Sequence, residues 1–309
     1  IFFRPTMASK QAENDGVFNI GLLKPAAFFA ADIAFLAYVR QKAMADVGKY
    51  NVFADSFFVP LGMNILYFMM IYFGTKAMKN REPFDIKQWM FAYNFMQTFI
   101  NLAIVLGFMY EVHSTRMRYW GSGIDWSAKG VGLGFMVYAH YHNKYLEFCD
   151  TAFMILRKKS GQLSFLHVYH HSLLTWSWWL VVWRAPGGDA WYGACYNSFI
   201  HVLMYSYYLF ATFGVRCPWK KFLTQFQMVQ FICCFTHSVY VGFFTPEETY
   251  PKWLVFVQAF VMVNMLVLFG NFYRQSYRKK PVPAASKAKE TESKTKEDPQ
   301  GEKTPAVGR

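Results

Sequence analysis

The chain is short of acids and without a paired cysteine motif. It holds 19 Asp and Glu against 32 Lys and Arg, with eight His and five Cys in 309 residues. The cysteines stand at 149, 195, 217, 233 and 234, so no C-x-x-C pair offers a zinc or redox dithiol site. They read as small buried residues with no disulfide framework. No internal repeat is present, and no signal peptide of the usual form opens the chain. Insertion into a membrane is therefore expected to begin at the first spanning helix. The chain starts at Ile1 and its first methionine is Met7, so residues 1–6 read as leader or as a fragment end. The formal net charge of +13 would suit nucleic acid in a soluble protein. Here the Lys and Arg residues sit in connections and in the tail, with no basic face interleaved with aromatics. Nucleic acid is not expected as a partner.

What is abundant is apolar. Hydrophobic residues make up 54% of the chain and aromatics 20%, with 33 Phe. They recur in stretches separated by short charged loops, which is the pattern of an all-α membrane protein. A spanning helix needs roughly 20 apolar residues. Seven stretches qualify, at about 57–74, 89–110, 131–156, 163–182, 191–213, 222–244 and 253–273. An earlier stretch, 26–39, is short and contains Asp32, and reads as an interfacial helix rather than an eighth span. The chain thus divides into an N-terminal lumenal segment (1–56), a seven-helix domain (57–273) and a basic cytosolic tail (274–309). The tail is rich in Lys, Glu, Ser, Thr and Pro from 281 onward and is expected to be disordered. Alternate connections carry Lys76, Lys79 and Arg81, then Arg157, Lys158 and Lys159, then Arg216, Lys220 and Lys221, then Arg274 and Arg278. Glu111, Asp125, Asp189, Glu247 and Glu248 fall on the other side. Positive residues favour the cytosolic side, so the N-terminus is expected in the lumen and the C-terminus in the cytosol.

The informative residues are the polar ones inside the apolar stretches, because a charge near the bilayer centre costs about 2.5–3.5 kcal/mol on insertion scales. The third stretch carries Lys144, Glu147 and Thr151 on one helical face, with Asp150 on its flank and Cys149 pointing the other way. The fourth opens with His167, His170 and His171, whose spacings of three and four put three imidazoles together. Such a cluster can bind metal, move protons or act as a nucleophile. The fifth carries Asn197, His201, Tyr205 and Tyr208 along one stripe, and the sixth carries Gln227, Gln230 and His237. Together they predict a polar-lined cavity enclosed by stretches three to six.

These residues resemble the ELO family of very-long-chain fatty-acid elongases. Its K-x-x-E-x-x-D-T motif is matched by Lys144, Glu147, Asp150 and Thr151, and its H-x-x-H-H box by His167, His170 and His171. Its N-x-x-x-H-x-x-M-Y-x-Y-Y element is matched by Asn197, His201, Met204, Tyr205, Tyr207 and Tyr208. Thr224, Gln227, Gln230 and Phe231 match T-x-x-Q-x-x-Q-F, and Lys79-Asn80-Arg81-Glu82-Pro83-Phe84 resembles the family's first loop. The matches keep the family's order over roughly residues 57–273. The resemblance implies seven helices, six forming a barrel around an acyl tunnel, in the endoplasmic reticulum membrane. It implies condensation of acyl-CoA with malonyl-CoA to 3-oxoacyl-CoA, carbon dioxide and CoA, with no bound cofactor. Reductases and a dehydratase would be partners, and a homodimer is possible within the membrane lipid. The form His-Val-Tyr-His-His, with Leu166 and Met204–Tyr208, resembles members acting on polyunsaturated chains. The C-terminal Ala306-Val307-Gly308-Arg309 departs from the family in lacking a dilysine.

The resemblance also implies that the middle histidine, His170, forms an acyl-imidazole. No Cys shares a histidine-bearing face, so an imidazole is the better nucleophile. His201 is expected to assist by proton transfer or by stabilising an oxyanion. His167 and His171 would position the thioester, Glu147 and Asp150 would orient imidazole N–H groups, and Lys144 would balance their charge. Asn197, Tyr205, Thr151, Gln227 and Gln230 are expected as support. Lys158, Lys159, Lys220, Lys221 and Arg278 are candidates for the CoA phosphates. The rival reading is a di-iron desaturase or hydroxylase, which also uses H-x-x-H-H boxes. It needs further boxes, and His140-Tyr141-His142 is no substitute, since i and i+2 do not share a helix face. A retinal protein or receptor is a third class, but residues 253–273 hold neither a Lys nor an N-P-x-x-Y element.

Overall fold

The computed structural model describes residues 23–46, 53 and 56–277. The N-terminal 22 residues and the tail from Arg278 onward lie outside the described residues, and with them part of the expected lumenal segment and the expected disordered tail. The described chain is helical, with no strand among the described residues. Its helices are α1 (Leu23–Ala45), α2 (Phe58–Met78), α3 (Lys87–Ser114), α4 (Val131–Leu146), α5 (Phe148–Leu156), α6 (Phe165–Arg184), α7 (Ala190–Thr212), α8 (Leu223–Phe244) and α9 (Lys252–Tyr277). A compact unit reaches to Gly270; the last turns of α9, from Asn271, are grouped with the tail in a second unit.

The helices end where the sequence supplies breakers. Pro83 precedes α3, the run Pro186-Gly187-Gly188 separates α6 from α7, and Pro251 precedes α9. Gly188 has φ +50°, and a Cβ there would meet the carbonyl oxygen of Ser122 at 2.8 Å. The close approach lets the next residue tie two loops together. Asp189 accepts from the backbone N–H groups of Gly121 and Ser122 at 3.1 and 3.0 Å, and its own N–H donates to Ser122 O at 3.1 Å.

Among the described residues, four helices are long and apolar enough to cross a membrane: Phe58–Met78, Lys87–Ser114, Pro218–Phe244 and Lys252–Ser276. They leave a broad apolar surface outward, including Phe58, Leu66, Tyr72 and Phe73 on α2 and Phe256, Phe260 and Val267 on α9. The protein is a multi-pass membrane protein. The sequence predicts seven spans, and the described helices fall on all seven stretches. Of the helices that carry the site's polar side chains, α8 is among those four, whereas α4 to α7 are not, α4 and α5 being too short. The expected third span is also interrupted: Glu147 stands between α4 and α5, so the span is two helices rather than one. The short stretch read as 26–39 extends to the 23 residues of α1. It docks on α3 and α4, where His142 Nε2 donates to the Asp32 carboxylate at 2.7 Å.

The interior is built chiefly where α3, α4, α6 and α7 meet. Phe108, Val137, Tyr141, Val182 and Ala194 are without exposed surface there. α3 packs more extensively on α7 than any other pair. This frame holds one face of α7 against α4 and α5 and the other against α8.

Candidate active site

The histidine box occupies the first two turns of α6. Ser164 caps that helix, accepting from the backbone N–H of His167 at 3.2 Å. The cap fixes the start of the helix, and the spacing then sets the rings. His167 and His171 lie 4.4 Å apart between centroids, and His170 and His171 5.5 Å apart. Tyr67 of α2 and Phe148 of α5 flank His171, each at 6.3 Å.

The break at Glu147 lets α4 and α5 supply different contacts. The Lys144 ammonium donates to Glu147 Oε1 at 2.6 Å and to the side-chain oxygen of Asn197 at 2.9 Å. Both members of this ion pair are 1% exposed. His201 Nδ1–H donates to the carbonyl of Asn197 at 2.8 Å, which turns Nε2 toward Glu147 Oε1 at 3.5 Å. Asn197 also reaches Gln230 of α8 at 3.5 Å. One carboxylate thus binds a lysine and stands 3.5 Å from an imidazole nitrogen of the facing helix.

Glu147 stands beside an imidazole, but Asp150 does not. Its carboxylate touches no imidazole: Oδ2 accepts from Tyr205 OH at 2.6 Å and from Tyr93 OH at 3.1 Å. The two phenols are 3.2 Å from each other. The imidazole of His167 is met by a hydroxyl, Thr151 Oγ1, at 2.7 Å, and Tyr67 OH stands 3.0 Å from that oxygen. α5 turns Asp150 toward α3 and α7, where only phenols are in reach, and Thr151 toward α6.

A cavity opens on these groups. Glu147, Asp150, His167, His170, His171, Asn197, His201, Tyr205, Gln227 and Gln230 line it, joined by Tyr208. Lys144 and Thr151 stand behind its wall, buried. A second cavity shares His170, Asn197, Gln230 and Phe231 with the first and continues among Leu174, Trp178, Val181, Val257 and Val261. The two hold about 800 and 620 Å³ of free space, part of it continuous with the outside. Both linings are mostly apolar, the first carrying more polar and charged side chains than the second, and His170 borders both.

Other expectations fall differently. His237 does not join the cavity that Gln227 and Gln230 line. It is buried between Trp120 and Tyr192, with both ring nitrogens unbonded and Asp189 Oδ1 3.9 Å away. Its place two turns further along α8 takes it past the cavity. Lys158 donates to the backbone oxygens of Lys79 and Arg81, which fastens α5 to the loop after α2. Lys220 lies over the ring of Tyr207 and Lys221 over that of Phe222. Arg278 is outside the described residues. The cysteines are free thiols. Cys149 packs with Phe29, Tyr93 and Tyr205, away from the imidazoles. No three His, Cys, Asp or Glu side chains among the described residues converge as a metal ligand set.

Sequence reading missed Tyr67, Tyr93, Ser164 and Met265. Ser164 had a signal, a cap residue three positions before His167. The two tyrosines and the methionine had none, because such side chains in an apolar helix are ordinary packing residues.

The sequence model of the ELO family, described as the GNS1/SUR4 family, matches residues 52–285. The chain is 35% identical over 233 residues to human "Very long chain fatty acid elongase 4", covering 74% of each protein. It is 36% identical over 250 residues to "Very long chain fatty acid elongase 2" of Mus musculus, covering 77% of this chain and 82% of that one. It is 35% identical over 230 residues to "Very long chain fatty acid elongase 5" of Mus musculus, covering 73% and 76%.

Proposed function

The chain belongs to the ELO family of very-long-chain fatty-acid elongases, and on that premise we propose that it works through an acyl-imidazole on His170. As an elongase it is an acyltransferase of the condensing type, acting on acyl-CoA and malonyl-CoA in a membrane. The observation that supports His170 is its place on the border of two cavities, one carrying most of the polar side chains and the other more apolar. The more apolar chamber suits the acyl chain, and the one with the imidazoles and carboxylates suits the thioester and the malonyl group. The imidazole between them would meet the carbonyl carbon.

His170 attacks the thioester carbonyl and CoA leaves. Malonyl-CoA then loses carbon dioxide, and the resulting enolate carbon takes the acyl group from the imidazole. His201 faces this region from α7 and assists by hydrogen bonding to the developing oxyanion or by moving a proton. The carbonyl of Asn197 holds His201 through Nδ1–H, and Glu147, held by Lys144, faces its Nε2. His167 and His171 position the thioester. Lys158, Lys159, Lys220, Lys221 and Arg278 are proposed for the CoA phosphates, with no bound cofactor needed. The acceptor is proposed to be polyunsaturated, from the form of the His box and the Met204–Tyr208 element. The bundle is proposed to be a barrel in the endoplasmic reticulum membrane. Its basic loops, at 76–81, 157–159 and 216–221, face the cytosol with the C-terminus, and the N-terminus is lumenal. Arg116, Arg118 and Lys129 dilute that bias without reversing it. Elongation-cycle reductases and a dehydratase are the proposed partners, with a second copy of the chain.

The test is condensation by purified protein with radiolabelled malonyl-CoA, a panel of saturated, monounsaturated and polyunsaturated acyl-CoAs, and no NADPH. Labelled 3-oxoacyl products, most from a polyunsaturated acceptor, are expected. His170→Ala is expected to remove them while the protein stays folded. Normal turnover by that variant would sink the nucleophile assignment.

A further inference from the structure

The two nitrogens of His170 have unlike surroundings. Nδ1 stands 3.2 Å from the thioether sulfur of Met265 on α9. Met265 is fully buried, and Phe269, one turn on, has its ring 5.9 Å from the imidazole. Nothing among the described residues bonds Nε2, and that atom is not sealed from the cavity His170 lines. A neutral imidazole carries one N–H and one lone-pair nitrogen, and a thioether sulfur has no hydrogen to donate. The contact is therefore favourable only when Nδ1 carries the proton and the sulfur accepts it. The alternative tautomer sets two lone pairs against each other.

We infer that Met265 is a positioning residue that fixes His170 as the Nδ1–H tautomer, and that this proton stays on Nδ1 throughout the reaction. The inference rests on the acyl-histidine reading above. In hydrolytic triads and metal sites a carboxylate or carbonyl commonly stands at the rear nitrogen and stabilises the imidazolium. A thioether is a weak, uncharged acceptor. It orients the N–H and is too feeble a base to remove it.

The electron count then runs without a base at His170. The Nε2 lone pair bonds to the thioester carbonyl carbon and the carbon–sulfur bond breaks. CoA leaves as the thiolate and takes a proton from solvent. The adduct is an N-acylimidazolium, still protonated at Nδ1, with the Glu147 carboxylate on the same cavity. Loss of carbon dioxide from malonyl-CoA leaves its electron pair in an enolate. The enolate carbon bonds to the acyl carbon, the carbon–nitrogen bond breaks, and its pair returns to Nε2. The leaving group is neutral imidazole rather than imidazolate. In sum, acyl-CoA, malonyl-CoA and one proton give 3-oxoacyl-CoA, carbon dioxide and CoA.

The experiment is nitrogen-15 NMR of the full chain labelled at histidine in detergent, without substrate, using His170→Asn to assign the His170 signals. Wild type is expected to show the Nδ1–H pattern at His170. Met265→Leu keeps the volume and removes the acceptor. It is expected to give a mixed tautomer spectrum and a CoA thiol burst from acyl-CoA alone that is roughly three- to tenfold slower, the worth of one hydrogen bond. The KM for malonyl-CoA is expected to hold. A wild-type spectrum with Nε2–H would overturn the inference, as would a Met265→Leu protein with unchanged spectrum and burst. The underlying reading fails separately: peptide mass spectrometry after acyl-CoA treatment would find no acyl group on His170, whatever the tautomer spectrum shows.

Discussion

The hydroxyl of Thr151 lies 2.7 Å from Nε2 of His167, where a carboxylate was the expected partner. A hydroxyl gives and takes, so it accepts either state of the ring, and Tyr67 completes its bonding from α2. Thr151→Val keeps the shape and removes the oxygen. Condensation is expected to fall roughly three- to tenfold, the worth of one lost hydrogen bond. Thr151→Ser should retain most of it. Equal rates for the two variants would show that the hydroxyl does not matter.

The Lys144–Glu147 pair is buried, so losing one partner strands the other. Lys144→Met or Glu147→Gln is expected to cost about 3–5 kcal/mol of stability. The double variant should recover a good part of that loss in thermal melts in detergent. Its condensation should stay low, because His201 has lost the carboxylate 3.5 Å from Nε2. A double variant no more stable than the singles would contradict the pairing.

Ser164→Ala removes the cap of the helix that carries the histidine box. A stability loss of about 1 kcal/mol is expected, with Ser164→Asp close to wild type. Thermal melts of the three proteins decide it.

Cys149 packs beside Tyr93 and faces away from the imidazoles. Cys149→Ala should keep normal condensation and lose no more than about 1–2 kcal/mol. A dead variant of normal abundance would place a thiol in the chemistry.

Gly193 borders the more apolar chamber, and a Cβ there would meet Gln258 at an ordinary 3.5 Å. Gly193→Ala should therefore fold and fill part of the chamber. Turnover of the longest accepted acyl-CoA is expected to drop roughly tenfold relative to shorter ones. An unchanged acceptor profile would remove this chamber from the acyl path.

The helices and most of the cavity wall were legible in the sequence, because polar side chains in lipid-facing stretches are costly and therefore stand out. Helical spacing placed the His167, His170 and His171 rings correctly, and likewise Asn197 and His201. Spacing along one helix does not reveal what faces it from another. Asp150 was assigned to imidazoles and meets phenols, and His237 follows Gln230 in register but passes beyond the cavity. The interruption at Glu147 had no breaker residue to announce it. Tyr67, Tyr93 and Met265 came to light only once distant helices were set side by side.

The placement of Lys144 and Glu147, each 1% exposed, bears on how the protein meets its medium. Between 0.01 M and 1 M salt the Debye length shrinks from about 30 Å to about 3 Å. Dissolved ions screen only charges whose field reaches water, and this pair has almost no surface there. Its attraction is set by the distance between two atoms and not by the buffer. A dependence of turnover on ionic strength would then report on the loops where Lys158 and Lys220 stand, leaving the buried pair indifferent to it.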